Sequence, residues 1–179
     1  MDPADDMPAA PRTIACPGCG AGVPDIEGPT HPYIGAAPAC WRRYGDVLAR
    51  EYGEFNYPEC HRLTVDTYAA QHPGRPSRRA IQSVDVHLIS LHLSLEADLG
   101  AAALVAGLRN ALRHADEFKW LEPPSFAATM TVFDVAGASD LEDHQRLVRE
   151  WAGSVWRAWS PHHATVRSWA DKATRFPGS

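Results

Sequence analysis

The stretch SRRAIQSVDVHLISLHLSLEADLG, residues 77–100, decides the fold class of this chain. Ser77 is a good N-cap for a helix, and Gly100 ends the pattern that follows it. The apolar side chains recur every three or four positions, which is the spacing of one helix face: Ile81, Val84, Leu88, Leu91 and Leu95. We predict a long helix here, and its length places it at the centre of the fold.

Helical signals flank this stretch on both sides. Helices are predicted from Ala39 to Tyr52, from Pro58 to His72, from Ala101 to Ala115, after the capping box Ser139–Glu142, and after Ser160-Pro161. Thr131-Val132-Phe133-Asp134 has β-branched residues that suit a strand, but Thr-x-x-Asp also resembles a capping box, and no second strand signal pairs with it. We expect a short helix there. The predicted fold class is all-α, a helical bundle of about five to six helices with an N-terminal zinc-knuckle loop.

The chain divides into three regions by composition. Residues 1–13, rich in Ala, Pro and Asp, are expected to form a disordered tail. Residues 14–38 contain Gly and Pro throughout and should form a zinc-knuckle loop. Residues 39–176 hold the predicted helices and should form a single domain with the knuckle. A chain of 179 residues can bury a substantial core without disulfides.

Charge and hydropathy exclude two classes of partner. A formal net charge of −5 leaves no basic surface of the kind that nucleic-acid binding requires. No apolar run approaches the roughly 20 residues that a membrane span needs, and the acidic start does not resemble a signal peptide. We therefore expect a cytoplasmic protein without nucleic-acid or membrane partners. In a reducing cytoplasm, the four cysteines are better interpreted as metal ligands or buried thiols than as two disulfides.

Metal-binding chemistry is indicated by the run Cys16-Pro17-Gly18-Cys19-Gly20. A Cys-x-x-Cys turn supplies two of the four thiolate or imidazole ligands of a tetrahedral zinc site. The predicted ligand set is Cys16, Cys19, Cys40 and His61, with Cys60 or His31 as substitutes. The alternative is that Cys40 and Cys60 are buried core thiols. Four protein ligands would make the zinc structural, whereas a water ligand would leave it open for catalysis.

Nine histidines provide the second chemical signal. His144 lies on the apolar stripe of its predicted helix, and His87 lies on a polar stripe of the central helix. The candidate acid–base groups or metal ligands near a pocket are His72, His87, His144, His163 and Asp66. The alternative is that these histidines are hydrogen-bonded core residues or face solvent.

Several motifs together resemble a family of uncharacterised bacterial proteins known only as a domain of unknown function. They are the Cys16–Gly20 knuckle, the segment Ala36–Trp41, the segment His61–Gly74 with its Val-Asp-x-Tyr-Ala-x-Gln-His-Pro-Gly pattern, and Gln82-Ser-Val followed by His87-Leu88. The resemblance covers nearly the whole chain after residue 13. It implies a shared fold and gives no activity.

Two functions are consistent with these patterns. The first is a zinc-binding helical enzyme that acts on a small molecule, which the number of histidines favours. The second is a non-catalytic, zinc-stapled binding or adaptor module that recruits a protein partner through an exposed aromatic face on the last two helices. Four tryptophans fall at helical spacing there, a pattern that core packing also explains: Trp151, Trp156, Trp159 and Trp169.

Overall fold

A computed structural model of the chain describes residues 12–97 and 99–175. Most of the tail expected over residues 1–13 lies outside these residues. Within the first described residues, Thr13 begins a strand and the guanidinium of Arg12 donates to Asp25 at 2.7 Å.

The described residues confirm the all-α class. They form seven α-helices: α1 Pro38–Tyr52, α2 His61–Gln71, α3 Arg78–Leu95, α4 Ala101–Ala111, α5 Val132–Ala136, α6 Leu141–Ala158 and α7 His163–Arg175. Two 3-10 segments, Leu112–Glu117 and Ser160–His162, extend α4 and precede α7. A small antiparallel hairpin, which the sequence patterns did not predict, pairs β1 Thr13–Ala15 with β2 Gly22–Pro24.

Side-chain caps explain where several helices begin. The Ser77 hydroxyl accepts a hydrogen bond from the backbone N–H of Ala80, as expected for the N-cap of α3. Thr131 and Asp134 form the reciprocal capping box of α5, which confirms the short helix. Helix α6 begins one position later than predicted, because Asp140 rather than Ser139 is the N-cap and accepts from the N–H of Asp143 at 2.9 Å.

Helix α3 lies at the centre of the bundle, where it packs against α2, α4, α6 and α7. Val84, Leu88 and Leu91 of its predicted stripe are buried, and Ile89 and Leu93 are buried as well. A helix whose apolar surface is covered on more than one side is internal rather than peripheral. None of the described helices combines the length and the apolar character that a bilayer span requires.

The four tryptophans of the last two helices are core residues. Trp151 and Trp159 have no exposed surface, and Trp156 and Trp169 are 5% and 8% exposed. Their indole N–H groups bond inward, from Trp151 to the Gln71 side chain and from Trp159 to the Ala70 carbonyl. The prediction that these tryptophans form an exposed aromatic face is therefore wrong, because packing against α2 and α3 covers them.

Candidate metal centre

The knuckle is the turn that joins β1 to β2. The N–H of Cys16 donates to the Ala21 carbonyl at 2.8 Å, and the N–H of Gly20 donates to the Cys16 carbonyl at 2.9 Å. Gly20 has a φ of +77°, a left-handed conformation that glycine adopts without strain. This tight turn holds the thiols of Cys16 and Cys19 close together, and both are 2% exposed.

The third thiol comes from the first turn of α1. Cys40 has no exposed surface, and its Sγ lies 3.9 Å from the Sγ of Cys19. The N–H of Ala37, at the N-cap of the same helix, donates to the Sγ of Cys16 at 3.4 Å. A helix N-terminus favours the thiolate form of cysteine, so this position suits a metal ligand.

His72, at the C-cap of α2, completes the cluster. Its Nε2 lies 3.4 Å from the Sγ of Cys40, and its Nδ1 lies 2.8 Å from the Tyr68 carbonyl oxygen. A carbonyl only accepts hydrogen bonds, so Nδ1 carries a proton and donates it. A backbone carbonyl that fixes one imidazole nitrogen in this way is the usual outer partner of a histidine that ligates metal through its other nitrogen.

The four ligand atoms of Cys16, Cys19, Cys40 and His72 lie within 4.8 Å of one another, and all four residues are buried. Three sulfurs and one imidazole nitrogen form a complete tetrahedral donor set. We call this set the knuckle cluster. The arrangement can bind a metal ion without any ligand from solvent.

The residues of the knuckle cluster shift one another's pKa values. Hydrogen bonds from Cys19 and then Cys40 hold the pKa of the Cys16 thiol far below its usual range, whereas hydrogen bonds to Cys16 and Cys19 raise the pKa of Cys40. Burial opposes protonation of His72, but the Cys16 and Cys19 sulfurs outweigh it and raise its pKa to about 9. Protons on the cluster thus occupy the place that a metal cation takes when it binds.

Close backbone packing holds the knuckle against the end of α2. A Cβ built on Gly18 would lie 2.5 Å from Cδ2 of His72 and 2.7 Å from the Gly35 carbonyl oxygen, so only glycine fits. The N–H of Gly35 donates to the His72 carbonyl at 2.9 Å, and Ile34 forms an isolated bridge with Pro73. The loop before α1, the knuckle and the end of α2 therefore meet at one point.

The predicted fourth ligand, His61, lies outside the knuckle cluster. His61 begins α2 and His72 follows its last residue, so the length of an 11-residue helix, about 16 Å, separates them. His61 instead places Nδ1 2.7 Å from the Glu51 carboxylate. The two substitutes are also elsewhere, since Cys60 lies near Glu51 and the His31 ring packs against Tyr33.

The catalytic candidates are distributed over four places. His72 belongs to the knuckle cluster, and His163 stacks on Trp156 and lies 2.8 Å from its carbonyl oxygen. His144 is buried with its Nε2 2.8 Å from the Glu51 carboxylate. Only Asp66 and His87 meet, with 2.7 Å between Oδ1 and Nδ1. The predicted set is therefore not one site.

Two residues of potential metal-binding groups, His72 and Glu51, were not part of the ligand set predicted from the sequence. His72 was a candidate for catalysis, but its place at the end of a helix before Pro73-Gly74 is what brings it to the knuckle. Glu51 stands on the apolar stripe of α1 with Tyr44 and Val47 and has no exposed surface. A carboxylate on such a stripe requires buried partners, and that signal could have identified it.

Comparison with known proteins identifies the family of the chain but no activity. No curated protein and no solved structure matches the chain. A family model matches residues 14–160, a range that contains the whole knuckle cluster. The chain therefore belongs to DUF5946, a family of unknown function.

Proposed function

We propose that the protein binds one zinc ion through Cys16, Cys19, Cys40 and His72 and that this zinc has a structural role. The observation that carries the proposal is the buried three-sulfur, one-nitrogen cluster with its ligand atoms within 4.8 Å of one another. Soft thiolates select zinc over hard cations such as magnesium or calcium. Four protein ligands leave no coordination position for water or substrate, which is typical of a structural site.

The zinc would join three separate parts of the chain. The hairpin supplies Cys16 and Cys19, the start of α1 supplies Cys40, and the end of α2 supplies His72. A two-stranded hairpin of three residues per strand is too small to be stable on its own. In this proposal the free energy of zinc binding holds the hairpin in place and orients α1 against α2.

The test is a comparison of two histidine variants in the purified chain. Elemental analysis of His72→Gln should show one zinc ion fewer per chain than the wild type, together with a lower melting temperature. His87→Gln is the matched control, because His87 lies outside the knuckle cluster and should leave the zinc content unchanged. Equal zinc content in His72→Gln and the wild type would overturn the proposed ligand set.

A second candidate function, acid–base catalysis on a small molecule, is favoured by Asp66 and His87. The buried carboxylate of Asp66 accepts from the Ser90 hydroxyl and lies 2.7 Å from Nδ1 of His87. The His87 side chain is 23% exposed and lines a cavity of about 370 Å³ together with Arg79. A carboxylate that orients Nδ1 leaves Nε2 available as a general base, and Arg79 could hold an anionic substrate.

A ligand screen tests this candidate. Short carboxylates and phosphate monoesters would be added to the wild type and to Arg79→Ala, and the melting temperature would be measured. We expect a compound that stabilises the wild type by several degrees and loses this effect in Arg79→Ala. Turnover of that compound should be lost in His87→Gln. Two results would contradict the catalytic role. One is that every stabilising compound raises the melting temperatures of the wild type and Arg79→Ala equally, and the other is unchanged turnover in His87→Gln.

A further inference from the structure

A second cluster of metal-binding residue types lies outside the knuckle cluster. Ligand atoms of Glu51, Cys60 and His144 lie within 4.8 Å of one another. Glu51 and His144 are 0% and 1% exposed, and Cys60 is 6% exposed. We call these three residues the mixed cluster. Its residues come from the end of α1, from the N-cap of α2 and from the first turns of α6.

The Glu51 carboxylate is the centre of the mixed cluster. Its Oε1 accepts from the Thr64 hydroxyl at 2.6 Å and lies 2.8 Å from Nε2 of His144, while its Oε2 lies 2.7 Å from Nδ1 of His61. A fully buried carboxylate needs hydrogen-bond donors or a cation beside it. A cation bound at the same atoms is one means of compensating this charge.

The mixed cluster borders a cavity of about 790 Å³. Cys60 and His61 line this cavity directly, together with apolar side chains that include Leu63 and Leu104. Arg149 also lines it. An ion beside Cys60 would therefore be within reach of a small molecule in the cavity.

Backbone strain occurs at the same place. Asn56 and Tyr57 have φ values of +49° and +59°, a left-handed conformation that Asn adopts readily but that is unusual for Tyr. The N–H of Tyr57 donates to the Glu51 carbonyl at 2.7 Å, and the Tyr57 ring lies 4.5 Å from the His61 ring. Strain of this kind concentrates at binding sites.

We propose that Glu51, Cys60 and His144 bind a second divalent transition-metal ion, with zinc the best match to the ligands. One carboxylate oxygen, one thiolate sulfur and one imidazole nitrogen are three protein ligands, the number that a catalytic zinc site uses while a fourth position stays open. The cavity beside Cys60 gives that position access to a small ligand. Binding releases the thiol proton of Cys60 to solvent. The proton that His144 donates from Nε2 to Glu51 moves to Nδ1 of the same ring or to solvent, which frees Nε2 to bind the ion.

His61 has a positioning role in this proposal. Its Nδ1 bonds the Oε2 of Glu51, and its Nε2 lies 3.3 Å from the hydroxyl of Tyr52. A group that orients a ligating carboxylate typically contributes about 10- to 100-fold to metal affinity. His61→Ala should therefore lower the affinity of the second ion by about this factor and leave the stoichiometry at saturation unchanged.

The test is the number of zinc ions that the full chain retains after equilibration with excess zinc and removal of free metal. We expect two per chain in the wild type and one in Cys60→Ser. Ser94→Ala, which changes the same cavity wall without touching a ligand, is the control and should retain two. His144→Gln provides a second variant if Cys60→Ser does not fold.

The outcomes of this experiment distinguish metal binding at the mixed cluster from metal binding at the knuckle cluster. One ion in the saturated wild type that Cys60→Ser also retains would overturn the mixed cluster as a metal site. Two ions in both Cys60→Ser and His144→Gln would overturn it as well. One ion that is lost in Cys60→Ser and retained in His72→Gln would support the mixed cluster and contradict the knuckle cluster. Cobalt binding adds a spectroscopic check, because a site with one thiolate has a weaker charge-transfer band than a site with three.

Discussion

The Nε2 of His72 lies 3.4 Å from the Sγ of Cys40, although 32 positions separate the two residues in the chain. Cys40 lies in the first turn of α1, and His72 caps the end of α2. One helix therefore presents its N-terminus and the other its C-terminus to the same point. The hairpin that carries Cys16 and Cys19 meets both helices at this junction.

Loss of one knuckle thiol should unfold the hairpin before the bundle. In Cys19→Ser, we expect the amides of residues 13–24 to lose hydrogen-exchange protection at least tenfold, while those of α3 and α6 remain protected. The hairpin has few residues of its own to bury, whereas α3 contains fully buried leucines. Hydrogen exchange followed by mass spectrometry measures this difference. Equal loss of protection in all elements would instead indicate a single cooperative unit.

Two glycine substitutions should act in opposite directions. Gly18→Ala places a Cβ 2.9 Å from Cα of His72 and 2.7 Å from the Gly35 carbonyl oxygen, and backbone atoms cannot move aside cheaply. We expect a loss of at least about 2 kcal/mol in the free energy of unfolding, together with weaker zinc binding.

Gly45→Ala is the matched control for Gly18→Ala. Gly45 is an exposed position within α1, and no heavy atom lies within 4 Å of a Cβ built there. Alanine is favoured over glycine inside helices, so this variant should be more stable by about 0.5–1 kcal/mol. Denaturant unfolding of both variants measures the two effects. Similar destabilisation by both would contradict the close packing described at the knuckle.

The sequence predicted the helices well because their signals are local. Ser77, Pro38 and the Thr131 capping box act within one helical turn, so the starts of α3, α1 and α5 can be identified without knowledge of the rest of the fold. The β1–β2 hairpin was missed because three-residue strands contain too little alternation to detect.

The candidate sites were predicted only in part because they depend on tertiary contacts. Cys16, Cys19 and Cys40 lie close together, and spacing and a helix start both indicate thiolate ligands. The choice of His61 over His72 required knowing which end of α2 meets α1, and helical periodicity contains no such information. The pairing of Glu51 with His144 joins residues 93 positions apart, which no local pattern predicts.

Asp85 should make the protein less stable as pH rises. It is 1% exposed, and its Oδ2 has no hydrogen-bond partner among the described residues. Burial raises the pKa of this carboxyl to about 8, against a smaller opposing effect of Lys119. The unfolded chain has a pKa of about 3.9 at this residue, so the folded state holds the extra proton between these values. The contribution of Asp85 to the free energy of unfolding is therefore fully present below about pH 4. It decreases as the pH rises and is lost as the pH passes through about 8.

Asp85→Asn tests that dependence. The amide oxygen can still accept from Lys119, and the side chain no longer ionises. We expect the variant to exceed the wild type in stability by about 1–3 kcal/mol at pH 8 and by progressively less towards pH 5. Urea unfolding at several pH values measures the difference. A stability gap that stays constant with pH would contradict the proposed ionisation.

Gln71 should hold the loop before α5 without contributing to metal binding. Its side chain has no exposed surface and makes three hydrogen bonds: Nε2 donates to the Thr129 hydroxyl and the Met130 carbonyl, and Oε1 accepts from the indole N–H of Trp151. In Gln71→Leu the Trp151 N–H and the Met130 carbonyl lose these partners. Each buried polar group left unpaired costs about 1–3 kcal/mol, so these two groups predict a loss of about 2–6 kcal/mol.

The zinc content of Gln71→Leu should equal that of the wild type, because all four residues of the knuckle cluster are unchanged. Gln145→Leu, a half-buried position on α6, is the control and should change the free energy of unfolding by about 0.5 kcal/mol or less. The loop over residues 124–131 shares a cavity of about 440 Å³ with Cys16 and Cys19. Release of zinc from Gln71→Leu would therefore indicate that this loop holds the knuckle in place. Retained zinc with reduced stability would show that the loop and the metal stabilise α2 independently.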